Sequence, residues 1–220
     1  MMEPILAHYN ELRKDIYSQP EDEGHTAWAE HGVKWMASKL NGISTVLDVG
    51  CGTGFLSNYF TKLGIQYTGI TASEEDRKEA KKSNRNVSIG DMHSLQGNYD
   101  LVVARHVLEH SPFPILALME WRKVANNYLF LVAPAPDFWG WAGMNHYSMA
   151  NKEQLWWWLR RAGWKILDEE DFKNTNTEYT HNYSDNADRL KKGKPLIEVP
   201  GPPKVIEYRF LCHKSEPRIA

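Results

Sequence analysis

The sequence predicts an α/β fold with a doubly wound, mostly parallel seven-stranded sheet and N-terminal helices. Short apolar runs alternate with segments of helical length, which is the spacing of strand–helix–strand units. Most of these runs are apolar throughout, as expected for parallel strands that are covered on both faces. A chain of 220 residues is long enough for one such domain.

The composition disfavours nucleic acid and membranes as partners. The formal net charge is −2, so the chain has no general attraction to phosphate backbones or anionic lipid. No apolar run approaches the roughly 20 residues that span a bilayer, and the charged N-terminus does not resemble a secretory signal. Cys51 and Cys212 lack the spacing of a disulfide framework or zinc site. We therefore expect a cytoplasmic monomer or homodimer.

The N-terminal segment, residues 1–42, is predicted to form a helical cap. Residues 5–17 have the pattern of a partly polar helix. Residues 26–40 are predicted to form a second helix, because their apolar side chains recur at helical spacing. Thr26 is a suitable N-cap for this second helix.

The central part of the chain is predicted to supply five strands and the helices that connect them. The predicted strands are residues 44–49, 65–71, 86–89, 99–104 and 127–133. The predicted helices are residues 55–63, 74–83 and 113–124, and Ser73 is a suitable N-cap for the second of them. This order predicts a sheet that binds ligands at the carboxyl ends of its strands.

The last third is predicted to complete the single domain, residues 1–220. Two loops are expected on the substrate side, residues 134–150 and 174–203. A helix is predicted over residues 151–162, with Gly163 to end it, followed by strands over residues 164–168 and 205–213. We expect the last strand to run antiparallel to its neighbours.

A glycine-rich turn after the first strand is the sharpest feature. Residues 46–56 read VLDVGCGTGFL, in which a buried strand leads through Gly50, Gly52 and Gly54 into a helix. Glycine lets a ligand approach the main chain, and the helix N-terminus offers free N–H groups. Dinucleotide enzymes use G-x-G-x-x-G, but Phe55 stands where the third glycine belongs.

The spacing here is G-x-G-x-G, with Asp48 two residues before the first glycine. This arrangement resembles the first motif of class I S-adenosylmethionine-dependent methyltransferases, which have a Rossmann-like fold. The resemblance implies S-adenosyl-L-methionine as cofactor. It also implies that the loop holds the methionine part of the cofactor through Gly50, Cys51, Gly52 and Gly54, while Asp48 helps to place the ammonium group.

Later segments extend the resemblance over about residues 26–164 and the last strand. Asp91 and Met92 follow the third strand, where the family has contacts near the adenine amine. Residues 99–110, YDLVVARHVLEH, resemble the family's fourth-strand motif. The resemblance implies that the main chain around Ala104 and Arg105 faces the methionine end of the cofactor.

The end of the second strand departs from the family pattern. The family has Asp or Glu there to receive both ribose hydroxyls, whereas this chain has Thr71. A threonine cannot make a charge-assisted bidentate contact. We expect either a weaker contact from Thr71 and Ala72 or a carboxylate supplied by Glu74 or Glu75.

Three histidines are candidate bases for a methyl-transfer reaction. The protein has to align the acceptor and remove its proton, and a histidine near its reference pKa of about 6.5 suits that role. The candidates are His106 and His110 after the fourth strand, and His146 in the loop after the fifth. The alternative is structural, because Leu-Glu-His is common in the family and its histidine often packs or caps.

The leading interpretation includes no metal ion. As an alternative, His106, Glu109 and His110 have the i, i+3, i+4 spacing that places three ligands on one helical face, with His146 as a fourth. The arrangement resembles the Glu-x-x-Glu-His metal site of small-RNA 2′-O-methyltransferases and some ubiquinone-pathway methyltransferases.

The predicted acceptor is a small molecule or sugar, with oxygen as the expected methylated atom and nitrogen or carbon left open. DNA-base methyltransferases carry Asp/Asn-Pro-Pro-Tyr/Phe after the fourth strand, and this chain has Ala104, Arg105 and His106 at that place. Trp139 and Trp141 are interpreted as an aromatic lid or substrate wall. Two alternatives stay open: an RNA 2′-hydroxyl or protein acceptor, and a non-catalytic protein that binds the cofactor.

Overall fold

The computed structural model describes residues 11, 21, 23–141, 145–173, 193 and 204–215. Six helices in this part of the chain are α1 (Glu23–Ala37), α2 (Ser57–Lys62), α3 (Glu74–Lys82), α4 (Pro114–Val124), α5 (Pro136–Trp139) and α6 (Lys152–Arg161). The strands are β1 (Thr45–Val49), β2 (Gln66–Thr71), β3 (Val87–Ile89), β4 (Tyr99–Arg105), β5 (Ala125–Pro134), β6 (Trp164–Lys173) and β7 (Val205–Lys214). Apart from residue 11, the predicted helix over residues 5–17 lies outside the described residues, and so does the predicted loop over residues 174–203 apart from residue 193.

The seven strands form one sheet in the order β3-β2-β1-β4-β5-β7-β6. Neighbours pair in parallel, except that β7 runs antiparallel to both β5 and β6. Val49 lies opposite Ile70 on β2 and Ala104 on β4, so these three strands end together. The predicted doubly wound, mostly parallel sheet is therefore confirmed. The chain segments that follow β1, β2 and β4 leave the sheet side by side, at the carboxyl ends of the strands.

Both faces of the central strands are buried. Leu47, Val49 and Val102 pack into a cluster with α4 and α6. Alternate residues of the same strands, such as Val46 and Val103, pack into a second cluster with α1 and α2. This two-sided burial explains why β1 and β4 are apolar on both faces.

The structure corrects three details of the prediction. Helix α1 begins at Glu23, so Thr26 lies inside the helix and the prediction that it is the N-cap was wrong. Strand β6 extends to Lys173 and alternates between exposed and half-buried side chains, because it forms one edge of the sheet. The predicted loop over residues 134–150 contains the short helix α5.

The tryptophans of α6 divide as helical geometry requires. Trp158 is buried, whereas Trp156 and Trp157 are exposed. Arg160 lies 4.5 Å above the Trp156 ring, and Arg161 lies 4.9 Å above the Trp157 ring. None of the helices in the described part of the chain combines the length and the apolar character needed to cross a membrane.

Replacing the buried Trp164 by Ala should destabilise the fold far more than the same change at exposed Trp157. Trp164 is 1% exposed and its Nε1 donates a hydrogen bond to the Leu118 carbonyl at 3.0 Å. Trp164→Ala should lower the free energy of unfolding by about 3–5 kcal/mol, and Trp157→Ala by less than about 1 kcal/mol. Urea unfolding measures both, and equal losses would contradict the packing described.

Candidate cofactor and acceptor site

The glycine loop between β1 and α2 is shaped by two different constraints. Gly50 and Gly52 both have positive φ, +67° and +54°. A Cβ on Gly50 would lie 2.3 Å from Cγ2 of Val107, so Gly50 allows the loop to pack on the turn after β4. A Cβ on Gly52 would meet no atom closer than Oδ2 of Asp76 at 3.9 Å. Gly52 therefore leaves main chain open to a ligand.

An ion-pair network holds the loop and the segment before α1 together. Arg85 donates to the Thr53 carbonyl at 3.2 Å and to both carboxylate oxygens of Glu21, at 2.7 and 2.8 Å. Thr53 Oγ1 donates to Glu21 at 2.9 Å. Glu21, two positions before α1, therefore lies against the glycine loop.

Asp48 is buried behind the loop. Its Oδ2 accepts a hydrogen bond from the Tyr67 hydroxyl at 2.7 Å. Burial raises the pKa of Asp48 to about 7, against the lowering effect of Tyr67 and Arg105. Cys51 is also buried, and its N–H donates to the Ile70 carbonyl at 2.9 Å, which ties the loop to β2.

A buried carboxylate that the sequence did not predict lies next to the end of β2. Thr71 is buried, and its Oγ1 accepts from the Ser73 N–H at 3.2 Å. Ala72 is exposed. Asp76, in the first turn of α3, is buried with Oδ2 3.5 Å from Thr71 Oγ1. An acid in the first turn of a helix normally indicates a solvated group favoured by the helix dipole, so no sequence signal distinguished it.

Neither glutamate proposed as a substitute for the strand-end acid fills that place. Glu74 has a side chain 59% exposed and forms an ion pair with Arg77 at 2.8 Å. Glu75 is exposed. The expectation that one of them reaches into the site was wrong, because the first turn of α3 directs Asp76, not its neighbours, toward the sheet.

The turn after β3 is fixed from two sides. Asp91 Oδ1 accepts from the His93 N–H at 3.0 Å, and His93 Nε2 lies 2.7 Å from Ser111 Oγ. The Met92 carbonyl accepts from Nε1 of Trp121 at 3.1 Å. The structure thus holds Asp91 and Met92 at the carboxyl edge of the sheet, beside the end of β2.

The Arg105 side chain points into a buried charge cluster. Its Nη2 donates to Oε1 of Glu207 at 2.7 Å, and Oε2 of Glu207 accepts from Nη2 of Arg209 at 2.8 Å. Burial alone would raise the pKa of Glu207, but the charges of Arg105 and Arg209 and the contact with His106 hold it well below its usual range. The predicted cofactor contact of Arg105 can therefore come only from its main chain.

His106 belongs to the same charge cluster. Its φ is +51° and its Nε2 lies 3.0 Å from Oε1 of Glu207. The ring packs edge-on against Trp139 at 5.6 Å between centroids. Burial, together with the charge of Arg105, lowers the pKa of His106 to about 4. His106 is therefore neutral near pH 7 and a weak base.

Glu109 and His110, in the turn after β4, lie close to His146 in the loop after α5. One potential ligand atom from each lies within 4.8 Å of the others. Glu109 is 3% exposed, and its Oε2 has no hydrogen-bond partner among the residues that the structure describes. Burial raises the pKa of Glu109 to about 8. The Ser148 N–H donates to the Glu109 carbonyl at 2.9 Å, which holds the loop bearing His146 in place.

The structure separates His106 from this group. Leu108–His110 form a single 3₁₀ turn rather than the start of an α-helix, so the predicted shared helical face does not exist. His106 instead lies against Glu207. Of the four predicted metal ligands, Glu109, His110 and His146 are brought together and His106 is not.

The predicted aromatic wall is only partly formed. Trp139 on α5 covers His106 and donates from Nε1 to the Ile206 carbonyl at 3.0 Å, so it is anchored to β7. Trp141 is 56% exposed. Residues 142–144 of the same loop lie outside the described residues.

Comparison with known proteins gives a consistent result. A family profile described as a methyltransferase domain matches residues 23–169. The chain is similar to ubiquinone biosynthesis O-methyltransferases from Bordetella avium (36% identical over 92 residues, 37% of this chain and 38% of that protein) and Erwinia tasmaniensis (30% identical over 141 residues, 59% and 52%). The chain thus spans about half the length, or less, of the curated relatives it matches.

The fold is also similar to that of a solved structure. Magnesium protoporphyrin IX methyltransferase from Synechocystis PCC 6803, determined with bound S-adenosylhomocysteine, superposes with a TM-score of 0.62 at 18% identity. The match covers 95% of each chain. This likeness supports the Rossmann-like architecture described above.

The raised pKa of Asp48 should appear in the pH dependence of stability. The folded-state pKa is about 7, above the value of about 4 for an unfolded chain. The folded protein therefore keeps a proton that the unfolded chain releases as the pH rises from about 4 to about 7. Relative to Asp48→Asn, whose amide does not titrate, the wild type should lose stability across that window.

Urea unfolding of both proteins, without ligand, at about pH 4.5 and about pH 7 measures this difference. The other titrating groups are common to the two proteins and cancel in the comparison. A stability difference that stays constant with pH would contradict the raised pKa.

Proposed function

We propose that this chain, which belongs to the class I S-adenosylmethionine-dependent methyltransferase family, transfers the methyl group of S-adenosylmethionine to an oxygen of a small-molecule acceptor. The observation that carries the proposal is the open main chain at Gly52, in a turn that packs through Gly50 on the segment bearing His106 and His110. The names of the relatives, O-methyltransferases of ubiquinone biosynthesis, support oxygen as the methylated atom.

The residues present fit the cofactor. Gly52 provides a cradle that any side chain would fill, and exposed Ala72 lies at the end of β2. Asp91 and Met92 line the next turn along the same edge of the sheet. The bound cofactor supplies an activated methyl group, so the protein has to position the acceptor and remove its proton.

We assign removal of the proton from the acceptor hydroxyl to His110 or His146. His106 is held against Glu207, and its pKa of about 4 makes it a weak base near pH 7. His110 and His146 are only partly buried, and their ring centroids are 5.0 Å apart. Either imidazole can accept a proton from an acceptor that enters beside the turn after β4.

Filling the Gly52 cradle should abolish cofactor binding without unfolding the protein. We expect Gly52→Arg to remove S-adenosylmethionine binding in titration calorimetry and transfer of labelled methyl to phenolic or sugar acceptors. Gly64→Arg is the matched control, since Gly64 also has positive φ, +74°, and open space around it.

Both variants share the cost of placing a side chain in the left-handed region, about 1 kcal/mol. Unchanged affinity in Gly52→Arg would show that the cofactor site is elsewhere. Transfer to RNA or protein instead of small molecules would replace the proposed acceptor, and cofactor binding without transfer to any acceptor would favour the non-catalytic alternative.

A metal-assisted variant of the same reaction is the second candidate. Oε2 of buried Glu109 lacks a hydrogen-bond partner in the described part of the chain. One carboxylate oxygen of Glu109 lies within 4.8 Å of a ring nitrogen of both His110 and His146. Glu109, His110 and His146 form a mixed oxygen and nitrogen ligand set that suits zinc or a similar divalent ion. A bound ion would supply Lewis-acid activation of the acceptor hydroxyl.

Metal analysis of the purified protein tests this candidate. We expect about one divalent ion per chain in the wild type, and loss of the ion and of methyl transfer in Glu109→Gln. Glu153→Gln changes an exposed glutamate on α6 and should keep both. Full activity after chelation, with no bound metal before it, would leave the histidines as bases alone.

A further inference from the structure

We infer that Asp76 supplies the carboxylate that receives the hydroxyls of a ribose diol in the bound nucleoside cofactor. The juxtaposition of Asp76, Thr71 and Gly52 carries the inference. The inference rests on the proposed function and names the residue that binds one part of the cofactor. In this chain the carboxylate comes from the first turn of α3, because the end of β2 provides only Thr71.

The burial of Asp76 is unusual for an acid in the first turn of a helix. The residue is 6% exposed, whereas aspartates lie mostly at the surface of folded proteins. Its N–H donates to the Ser73 side chain at 3.1 Å, which closes the N-cap of α3 and fixes the orientation of the turn.

The carboxylate is directed at the open part of the glycine loop. Oδ2 of Asp76 lies 3.9 Å from the point where a Cβ on Gly52 would be. A ligand that rests on the Gly52 main chain therefore meets this carboxylate. A carboxylate has two oxygens with about four acceptor positions, which matches the two neighbouring hydroxyls of a ribose.

Thr71 acts as the positioning residue. Its Oγ1 accepts from the Ser73 N–H and lies 3.5 Å from Asp76 Oδ2, so its hydroxyl proton is directed toward the carboxylate. Thr71 thus orients Asp76, which takes the role of the acid that the family has at the end of β2. Glu74 and Glu75 lie on the solvent side of the same turn.

A direct contact with the diol predicts discrimination between ligands as well as affinity. A site that binds hydroxyls through a charged acceptor rejects an analogue that lacks them. Wild-type protein should bind S-adenosylhomocysteine about 10- to 100-fold more tightly than its 2′-deoxy analogue. Asp76→Asn should bind the parent ligand more weakly and lose most of this preference.

Titration calorimetry with both ligands on three proteins tests the inference. Glu75→Gln is the control, because it removes a neighbouring acid that is exposed, and it should keep the wild-type preference. Urea unfolding establishes that Asp76→Asn remains folded. A merely structural role for Asp76 would weaken both ligands equally and leave their ratio unchanged.

The possible failures can be told apart. If wild-type protein binds neither ligand, the proposed function is wrong. If wild-type protein binds both ligands equally, the inference is overturned without use of any variant. If Asp76→Asn keeps the full preference, the inference is also overturned while the proposed cofactor stands.

Discussion

The burial of both faces of the central strands is the constraint on which the rest of the structure depends. Side chains of β1 and β4 alternate between two apolar clusters, and neither cluster has room for ionised groups without partners. Apart from Asp48 within β1, the polar residues of the candidate site therefore lie at or beyond the ends of the strands. Because β1, β2 and β4 end at the same level, the three loops that follow them lie together and form the candidate site.

The buried charge cluster on β7 shows how the protein accommodates ionised groups that do enter the interior. Glu207 lies between Arg105 and Arg209, and both of its oxygens accept from guanidinium groups. Such a cluster is costly to desolvate and contributes little net stability when complete. Its effect is geometric: it holds the Arg105 side chain away from the glycine loop and fixes His106 against Trp139.

Sequence reasoning was most successful where the signal is local. The glycine spacing after β1, the Ser73 cap and the alternation of strands and helices each depend on a few adjacent residues. It missed Glu207 and Asp76, since nothing local shows that a carboxylate is buried. Glu207 lies 102 residues after Arg105 in the sequence, and the two meet because β7 pairs with β5, the neighbour of β4. Three of the four predicted metal ligands converge. His106 does not, because Leu108–His110 form a 3₁₀ turn rather than an α-helix and His106 lies against Glu207.

The position of β7 has a consequence for the order of folding. This strand is inserted between β5 and β6, although it follows both in the chain. Until residues 205–214 emerge from the ribosome, β5 is an unpaired edge strand and β6 has no neighbour with which to pair. Pairings between distant segments form slowly, and open strand borders invite aggregation. The nascent chain is therefore most vulnerable just before β7 emerges and pairs with β5 and β6.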